Sequence, residues 1–173
     1  FFSFLEKEGI SFTNVDFPDL ANLPPQSTVN TSPFAFLRLH GRNAPAWSNS
    51  KAPRDEKYHY HYDGKQIAQI AAQAKSLLTR SRRLLIGGNN HFAAGAPAAV
   101  MLLQAALNAD PELQGIVPPA RAPRALIQAF PQLREQCMEL PEAELLDKSE
   151  IQSRSDQPSL FEESRENNDD VAQ

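Results

Sequence analysis

Cysteine is almost absent from the sequence, and long apolar runs are missing altogether. The one cysteine, Cys137, has no partner for an internal disulfide, so a reducing compartment fits the chain best. No run approaches the roughly 18 apolar residues of a membrane-spanning helix, and no signal-peptide pattern is present. These absences predict a cytoplasmic protein without a membrane partner. The chain opens at Phe1 rather than Met, which indicates a natural start upstream, where a targeting signal would change this localisation.

Charge is distributed unevenly along the chain. Residues 1–138 hold 14 basic and 10 acidic residues, whereas residues 139–173 hold 3 basic and 11 acidic residues. An acidic tail of this kind is typical of a solvated segment that aids solubility. The mildly basic body is also compatible with a polyanionic partner.

Apolar and polar patterns alternate as strand, loop and helix. Residues 10–17, 34–39 and 84–86 read as strands, and residues 64–79 and 95–107 read as helices, the first of them capped by Asp63 and Gln66. This β–α alternation predicts a parallel sheet. The strand at residues 34–39 is nearly all apolar, so we expect both of its faces to be buried and Arg38 to have a partner. Residues 43–57 are expected to form a long loop.

Polar residues follow the predicted strands, where parallel sheets carry their functional loops. Arg42, Asn43, Asn89 and Asn90, with exposed amides near Gly95 at the amino end of a helix, would bind phosphate there, and Arg42 offers a bidentate fork. Arg38 is a further candidate ligand-binding residue. The alternative is that Arg42 pairs with Asp16 or another carboxylate and that the asparagines satisfy loop backbone groups. Both interpretations place these residues at one edge of the sheet.

His40 and His91 are candidates for acid–base chemistry, since histidine titrates near neutral pH. With Asp16 they form the predicted catalytic set, although structural hydrogen bonding is the commoner role of a histidine. The same residues are of metal-ligand type, but no local ligand spacing supports a metal, and we predict none. Trp47 and Tyr60 lie in an aromatic segment that would either stack on a base or sugar, or pack as a lid.

Several of these motifs together resemble the YecE-like family, a domain of unknown function. The family pattern appears in order as Arg38-x-His40-Gly41, Trp47, Tyr58 to Asp63, and Asn89-Asn90-His91 followed by Gly95, with Asp16-Phe17-Pro18 before them. The resemblance implies a TIM-type (β/α) barrel with its site at the carboxyl ends of the strands. About three strands are recognisable over residues 1–107, whereas such a barrel needs eight. The chain therefore resembles the C-terminal portion of a family member, and any site shared with the absent half is incomplete.

The remaining residues are predicted to form two further segments. Residues 108–138 read as a Pro-rich linker with a short helix that Pro131 breaks, and residues 139–173 read as a disordered acidic tail. Within the tail, Gln157, Leu160 and Phe161 resemble the peptide that docks bacterial proteins on the replication sliding clamp.

Three functional hypotheses follow, and no cofactor is indicated. The protein is associated with nucleic acid through a phosphate-binding barrel mouth and a clamp-binding tail, or it is an enzyme acting on a phosphorylated small molecule. The third hypothesis is a non-catalytic module or truncated remnant. The sequence leaves open whether the chain is an enzyme.

Overall fold

A computed structural model describes residues 1–141, of which Phe1–Glu139 form one compact unit. The elements are α1 (Phe2–Lys7), β1 (Thr13–Asp16), β2 (Phe34–Leu39), α2 (Ala44–Ser48), α3 (Arg54–Lys57), α4 (Gly64–Leu78), β3 (Arg83–Gly88), α5 (Gly95–Asn108), β4 (Arg121–Pro123), α6 (Arg124–Ala129) and β5 (Met138–Leu140). Among the described residues no helix is long and apolar enough to cross a membrane. The first two residues of the predicted tail belong to β5, and the tail beyond residue 141, with the clamp peptide, lies outside the described residues.

The central sheet contains β1, β2 and β3 in that order, and both pairings are parallel. Asp16 of β1 lies beside Leu39 of β2, which in turn lies beside Gly88 of β3. The three carboxyl ends are therefore level with one another. The mixed α/β fold and the parallel sheet are confirmed.

Helices pack against one face of this sheet and leave the other face exposed. Ala35, Leu37 and Leu39 point to one face and join a core formed mainly with α4 and α5. On the opposite face Phe34 and Leu85 are 40% and 52% exposed. The prediction that both faces of β2 are buried was wrong, since its burial alternates along the strand.

Local signals explain the helices around the sheet. The Asp63 side chain accepts a hydrogen bond from Gln66 N, and the Gln66 side chain accepts one from Asp63 N, which confirms the predicted capping box. The segment expected as a long loop instead contains α2 and α3. Asn43 caps α2 and a proline occupies its first turn, so this helix has its own start signal.

The segment predicted as a linker is partly ordered by a second sheet. It pairs β4 with β5, and the short helix α6 follows β4 directly. As expected, Pro131 breaks this helix, and a single 3₁₀ turn covers Pro131–Leu133.

Candidate functional site

Strand alternation divides the predicted site residues between the two sheet faces. Asp16 and Leu39 lie on the helix-covered face, whereas Arg38 and, in the same alternation, His40 lie on the open face. We call Asp16, Gly41, Arg42, Tyr62 and Gln69 the Asp16 network. We call Arg38, His40, Trp47, Tyr58, Asn89 and His91 the His40 cluster.

The Asp16 carboxylate is wholly buried and fully engaged. Arg42 Nε donates to its Oδ1 at 3.0 Å and Arg42 Nη2 donates to the same oxygen at 2.6 Å. The Tyr62 hydroxyl donates to Oδ2 at 2.7 Å, and the remaining Arg42 nitrogen, Nη1, donates to Gln69 Oε1 at 3.0 Å. The guanidinium predicted to hold phosphate is therefore directed at a carboxylate, as the alternative interpretation states.

Electrostatics reinforce this arrangement. Burial and the adjacent Asp16 charge raise the pKa of Tyr62 far above its usual value, so the phenol remains a neutral donor. Burial opposes the charge on Arg42, but its hydrogen bond to Asp16 and the carboxylate charge raise its pKa overall. The network is thus a buried ion pair with a neutral phenol hydrogen-bonded to it.

The Asp16 network also positions the loop that follows β2. Asp16 O accepts a hydrogen bond from His40 N at 2.9 Å, and the Tyr62 hydroxyl accepts one from Gly41 N at 2.9 Å. Gly41 has a φ of +84°, and a Cβ there would lie 2.5 Å from Tyr60 Cβ. Glycine is therefore required at this turn, and three consecutive residues, His40, Gly41 and Arg42, are held by Asp16 directly or through Tyr62.

The rings of the His40 cluster lie at the carboxyl end of the sheet. The ring centroids of His40 and Tyr58 are 5.5 Å apart, those of Tyr58 and His91 are 6.0 Å apart, and those of His40 and Trp47 are 6.3 Å apart. The structure thus brings both predicted histidines to one patch and places Tyr58 within ring-contact distance of each.

The two histidines have different environments. Burial and, next, the Arg38 charge lower the pKa of His40, while Asp16 opposes that shift. His40 Nδ1 is buried without a hydrogen-bond partner among the described residues. His91 Nδ1 lies 3.0 Å from Asn89 O, and the tautomer that donates from Nδ1 leaves Nε2 as an acceptor. His40 therefore has a ring nitrogen without a hydrogen-bond partner among the described residues. In the tautomer above, His91 has a ring nitrogen, Nε2, that can accept a hydrogen bond.

Arg38 differs from Arg42 in being exposed. It forms no salt bridge within the part of the chain that the structure describes. The partner expected for Arg38 is not found among the described residues, where the face on which Arg38 lies is uncovered. Arg38 is thus the cation at the strand ends whose guanidinium is not paired with a carboxylate.

Other predicted ligand residues hold loops together. Asn43 Nδ2 donates to Glu56 O at 2.9 Å, and Trp47 Nε1 donates to Lys57 O at 3.0 Å. Asn90 is fully buried and donates to Tyr60 O at 2.9 Å, while its Oδ1 has no partner among the described residues. The Tyr60 hydroxyl accepts from Gln66 at 2.6 Å.

The loop between β3 and α5 is unusually shaped. Ala93 and Ala94 have φ values of 47° and 58°, a left-handed conformation that costs non-glycine residues energy. A Cβ on Gly95 would lie 2.7 Å from Asn90 O, so the start of α5 is pressed against the loop. The amino end of α5, predicted to face a phosphate, is buried at Gly95 and Ala96.

His40, His91 and Asp16 are not arranged as a metal site in the described residues. Asp16 is occupied by Arg42 and Tyr62, and residues 1–141 contain no group of three or more possible metal ligands.

Sequence reasoning missed the hydrogen bonds of Tyr62 to Asp16 and of Gln69 to Arg42. The alternation of tyrosine and histidine from Tyr58 to Tyr62 is the signal that could have found the first, because alternate residues of an extended segment share a side. The interaction of Gln69 carries no such signal, since it depends on where Arg42 lies.

The geometry above can be compared with known proteins. The DUF72 model, described as a protein of unknown function, matches residues 1–125, and no curated protein matches the chain. A DUF72 family protein from Thermotoga maritima is 29% identical, with a TM-score of 0.53 over 60% of this chain and 38% of its own. A DUF72 family protein from Enterococcus faecalis V583 is 26% identical, with a TM-score of 0.58 over 63% of this chain and 41% of its own. The chain thus spans about two fifths of each relative. YecE-like and DUF72 are one family, and the chain belongs to it.

Proposed function

We propose that the His40 cluster binds a phosphate-containing ligand that also carries a planar group. The observation that carries this proposal is the position of Arg38, an exposed cation without a carboxylate partner among the described residues, near His40, whose pKa is lowered by burial and, next, by the Arg38 charge. The His40 ring in turn lies next to the Tyr58 and Trp47 rings. A guanidinium binds phosphate through paired hydrogen bonds. The Tyr58 and Trp47 rings offer stacking surfaces for a base or another planar group.

In this proposal the phosphate is bound by Arg38 instead of Arg42, the residue that the sequence analysis favoured. Arg42 would have to leave a buried carboxylate to reach a ligand, and an uncompensated buried charge is costly. Asn89 directly follows β3, whose last residue Gly88 lies beside Leu39, so Asn89 lies at the strand ends near His40 and is a suitable additional donor. Asn90, in contrast, is buried against Tyr60.

Acid–base chemistry is the catalytic extension of this proposal. The lowered pKa of His40 favours a neutral imidazole at pH 7, which suits a general base. His91 with Nδ1 bonded to Asn89 O presents Nε2 for the same purpose. An enzyme acting on a phosphorylated metabolite is the second candidate function, and it uses the same residues. Asp16 then acts as a positioning residue and not as a catalytic one.

The proposal also places the chain as the C-terminal portion of a TIM-type barrel. Three parallel strands with helices on one face and an uncovered opposite face support it. In such a barrel the uncovered face becomes the interior, and the His40 cluster lies at the mouth. The remaining strands correspond in the relatives to sequence beyond the matched 38% and 41%.

Association with DNA is proposed on the tail sequence. Gln157, Leu160 and Phe161 carry the clamp-docking pattern, and Leu160 and Phe161 are adjacent large apolar residues in a polar tail. Binding of a peptide covering residues 152–166 to a bacterial sliding clamp would be measured by fluorescence polarisation. Equal binding by the peptide with Leu160→Ala and Phe161→Ala would contradict the proposal.

Trp47 is the single tryptophan in the chain, so its fluorescence reports directly on the His40 cluster. We expect adenosine monophosphate or a 12-nucleotide single strand of DNA to quench this fluorescence. Arg38→Gln should raise the Kd obtained from the quenching titration about tenfold. Arg83→Gln is the matched control, because Arg83 lies on the same face at the other end of the sheet.

Salt dependence separates the two ligand classes, since binding of a strand weakens steeply with salt whereas binding of a mononucleotide changes less. Equal losses in both variants, or no quenching by either ligand, would refute the site. Absence of quenching would favour a non-catalytic or remnant protein.

A further inference from the structure

Arg80 and Arg82 follow α4 at the amino end of the sheet, and both are exposed. Neither forms a salt bridge within residues 1–141. Cations just after a helix commonly bind its last carbonyl groups, which have no partner inside the helix. The carbonyl groups at the end of α4 therefore decide whether these two arginines are available to a ligand.

The last four carbonyl groups of α4, those of residues 75–78, already accept hydrogen bonds from two other residues. Thr79 donates through its backbone nitrogen to the first at 3.1 Å and through its hydroxyl to the second at 2.8 Å. Ser81 donates through its hydroxyl to the third at 2.9 Å and through its backbone nitrogen to the fourth at 3.3 Å. The helix end does not need the Arg80 and Arg82 guanidinium groups, which are left for another partner.

Both arginines line a pocket of about 490 Å³. The facing wall comes from Asn30, Ser32 and Pro33, which precede β2. No acidic residue of the described part of the chain lines the pocket, and Pro33 is its only lining residue without a polar side chain. A volume of this size falls within the range of about 300–1,000 Å³ that holds whole small molecules. The lining therefore favours a negatively charged ligand that is polar throughout.

Hydrogen bonds between the two walls fix the backbone positions of both arginines. Asn30 Nδ2 donates to Arg80 O, and Arg82 N donates to Pro33 O at 2.7 Å. The backbone on either side of the pocket is thus ordered before a ligand arrives, which reduces the entropy cost of binding.

We infer that this pocket binds the phosphate monoester of a small polyhydroxylated molecule, such as a sugar phosphate, with its phosphate between Arg80 and Arg82. A phosphate monoester carries close to two negative charges at pH 7, which two guanidinium groups balance through paired hydrogen bonds. The hydroxyl groups of Thr79 and Ser81 donate their protons to α4, so their oxygens can accept hydrogen bonds from hydroxyl groups of the ligand.

This pocket is distinct from the His40 cluster, which lies at the opposite end of the sheet. The six residues of β2 lie between the two sites and span roughly 17 Å at about 3.3 Å per residue. A sugar phosphate is too short to contact both sites, and it lacks the planar group expected of the other ligand. Binding at the two sites is therefore expected to be independent.

The test uses the 173-residue chain with glucose 6-phosphate as the probe and glucose as its uncharged counterpart, at constant ionic strength. NMR follows the Nε–Hε signals of the arginine side chains. We expect glucose 6-phosphate to shift the Arg80 and Arg82 signals in a saturable way and glucose to leave them unchanged. Arg80→Gln and Arg82→Gln should each raise the Kd about tenfold or more, since each removes a charged hydrogen-bond donor.

Arg83→Gln is the matched control, because Arg83 is also exposed and is adjacent in sequence but does not line the pocket. Its replacement should change the Kd by no more than about twofold, because its charge acts only through solvent. Equal losses in all three variants would indicate a diffuse basic surface of the kind that binds a nucleic-acid backbone and would overturn the proposal, as would the absence of saturation.

Two further measurements locate the ligand and identify its class. Inorganic phosphate that binds as tightly as glucose 6-phosphate would show that the hydroxyl groups add nothing and would overturn the assignment to a monoester. Trp47 fluorescence should stay constant as the pocket fills, whereas quenching with the same Kd would place the ligand at the His40 cluster and overturn the proposal.

Discussion

Replacing Asp16 by Asn should destabilise the fold more than any other single Asp→Asn change in the described residues. The Asp16 side chain is 0% exposed and its partner Arg42 is 20% exposed. Removing one partner of a buried ion pair costs roughly 3–5 kcal/mol. Asn keeps one acceptor for Arg42, which can also reach some water, so we expect the lower end, about 3 kcal/mol of unfolding free energy.

Urea unfolding followed by circular dichroism measures this loss. With an m-value of about 2 kcal/mol/M, the midpoint should fall by roughly 1.5 M. Asp110→Asn is the matched control, because Asp110 pairs with Lys75 at 2.9 Å on the surface and should lose far less. Equal losses for Asp16→Asn and Asp110→Asn would refute the reasoning that burial makes the Asp16 network a stabilising element.

Three further predictions concern pH and packing. Because the pKa of Tyr62 is raised in the folded chain, its contribution to the unfolding free energy is complete below about pH 10 and is lost as the pH rises above that value. Tyr62→Phe should therefore flatten the decline of the unfolding free energy at alkaline pH, and equal slopes for the two proteins would contradict this. Arg38→Gln should raise the pKa of His40, followed by NMR titration of the ring proton, and an unchanged pKa would place Arg38 too far away. Gly88→Ala would put a Cβ 2.9 Å from Ala96 Cβ and should cost about 1–3 kcal/mol in urea unfolding, whereas no loss would show that α5 can shift.

Features of the fold that depend on neighbouring residues were predictable from the sequence. The start of α4 follows from Asp63 and Gln66, two residues within a four-residue segment that form a capping box. The cover of the sheet was not predictable in the same way, because an apolar run such as residues 34–39 looks alike whether one or two faces are buried. Alternation fixes which residues share a face, but only tertiary packing decides which face is covered.

In the candidate site, contacts between residues far apart in the sequence were likewise not predictable. The sequence analysis placed Asp16, Arg42 and His40 at the strand ends and left the Asp16–Arg42 pair as an alternative interpretation. Choosing between phosphate and Asp16 as the partner of Arg42 requires knowing that the carboxylate and the guanidinium lie within 2.6 Å of each other, although 26 residues separate them. Tyr62, a further 20 residues along, adds the hydrogen bond that completes the network.

The two arginines within and after β2 have different surroundings, because the chain turns at Gly41 between them. Arg42 is held by Asp16 on the helix-covered side, so its loss should appear in the unfolding free energy. Arg38 faces the open side next to His40, so its loss should appear in the pKa of His40 and in ligand affinity while the unfolding free energy hardly changes. The Asp16 network reaches His40 through the backbone hydrogen bond between His40 N and Asp16 O, through the carboxylate charge, and through the adjacent Gly41, whose N donates to the Tyr62 hydroxyl. A variant that weakens the network without unfolding the chain should therefore move the His40 ring, and Tyr62→Phe, which keeps the ion pair, is the substitution that isolates this effect.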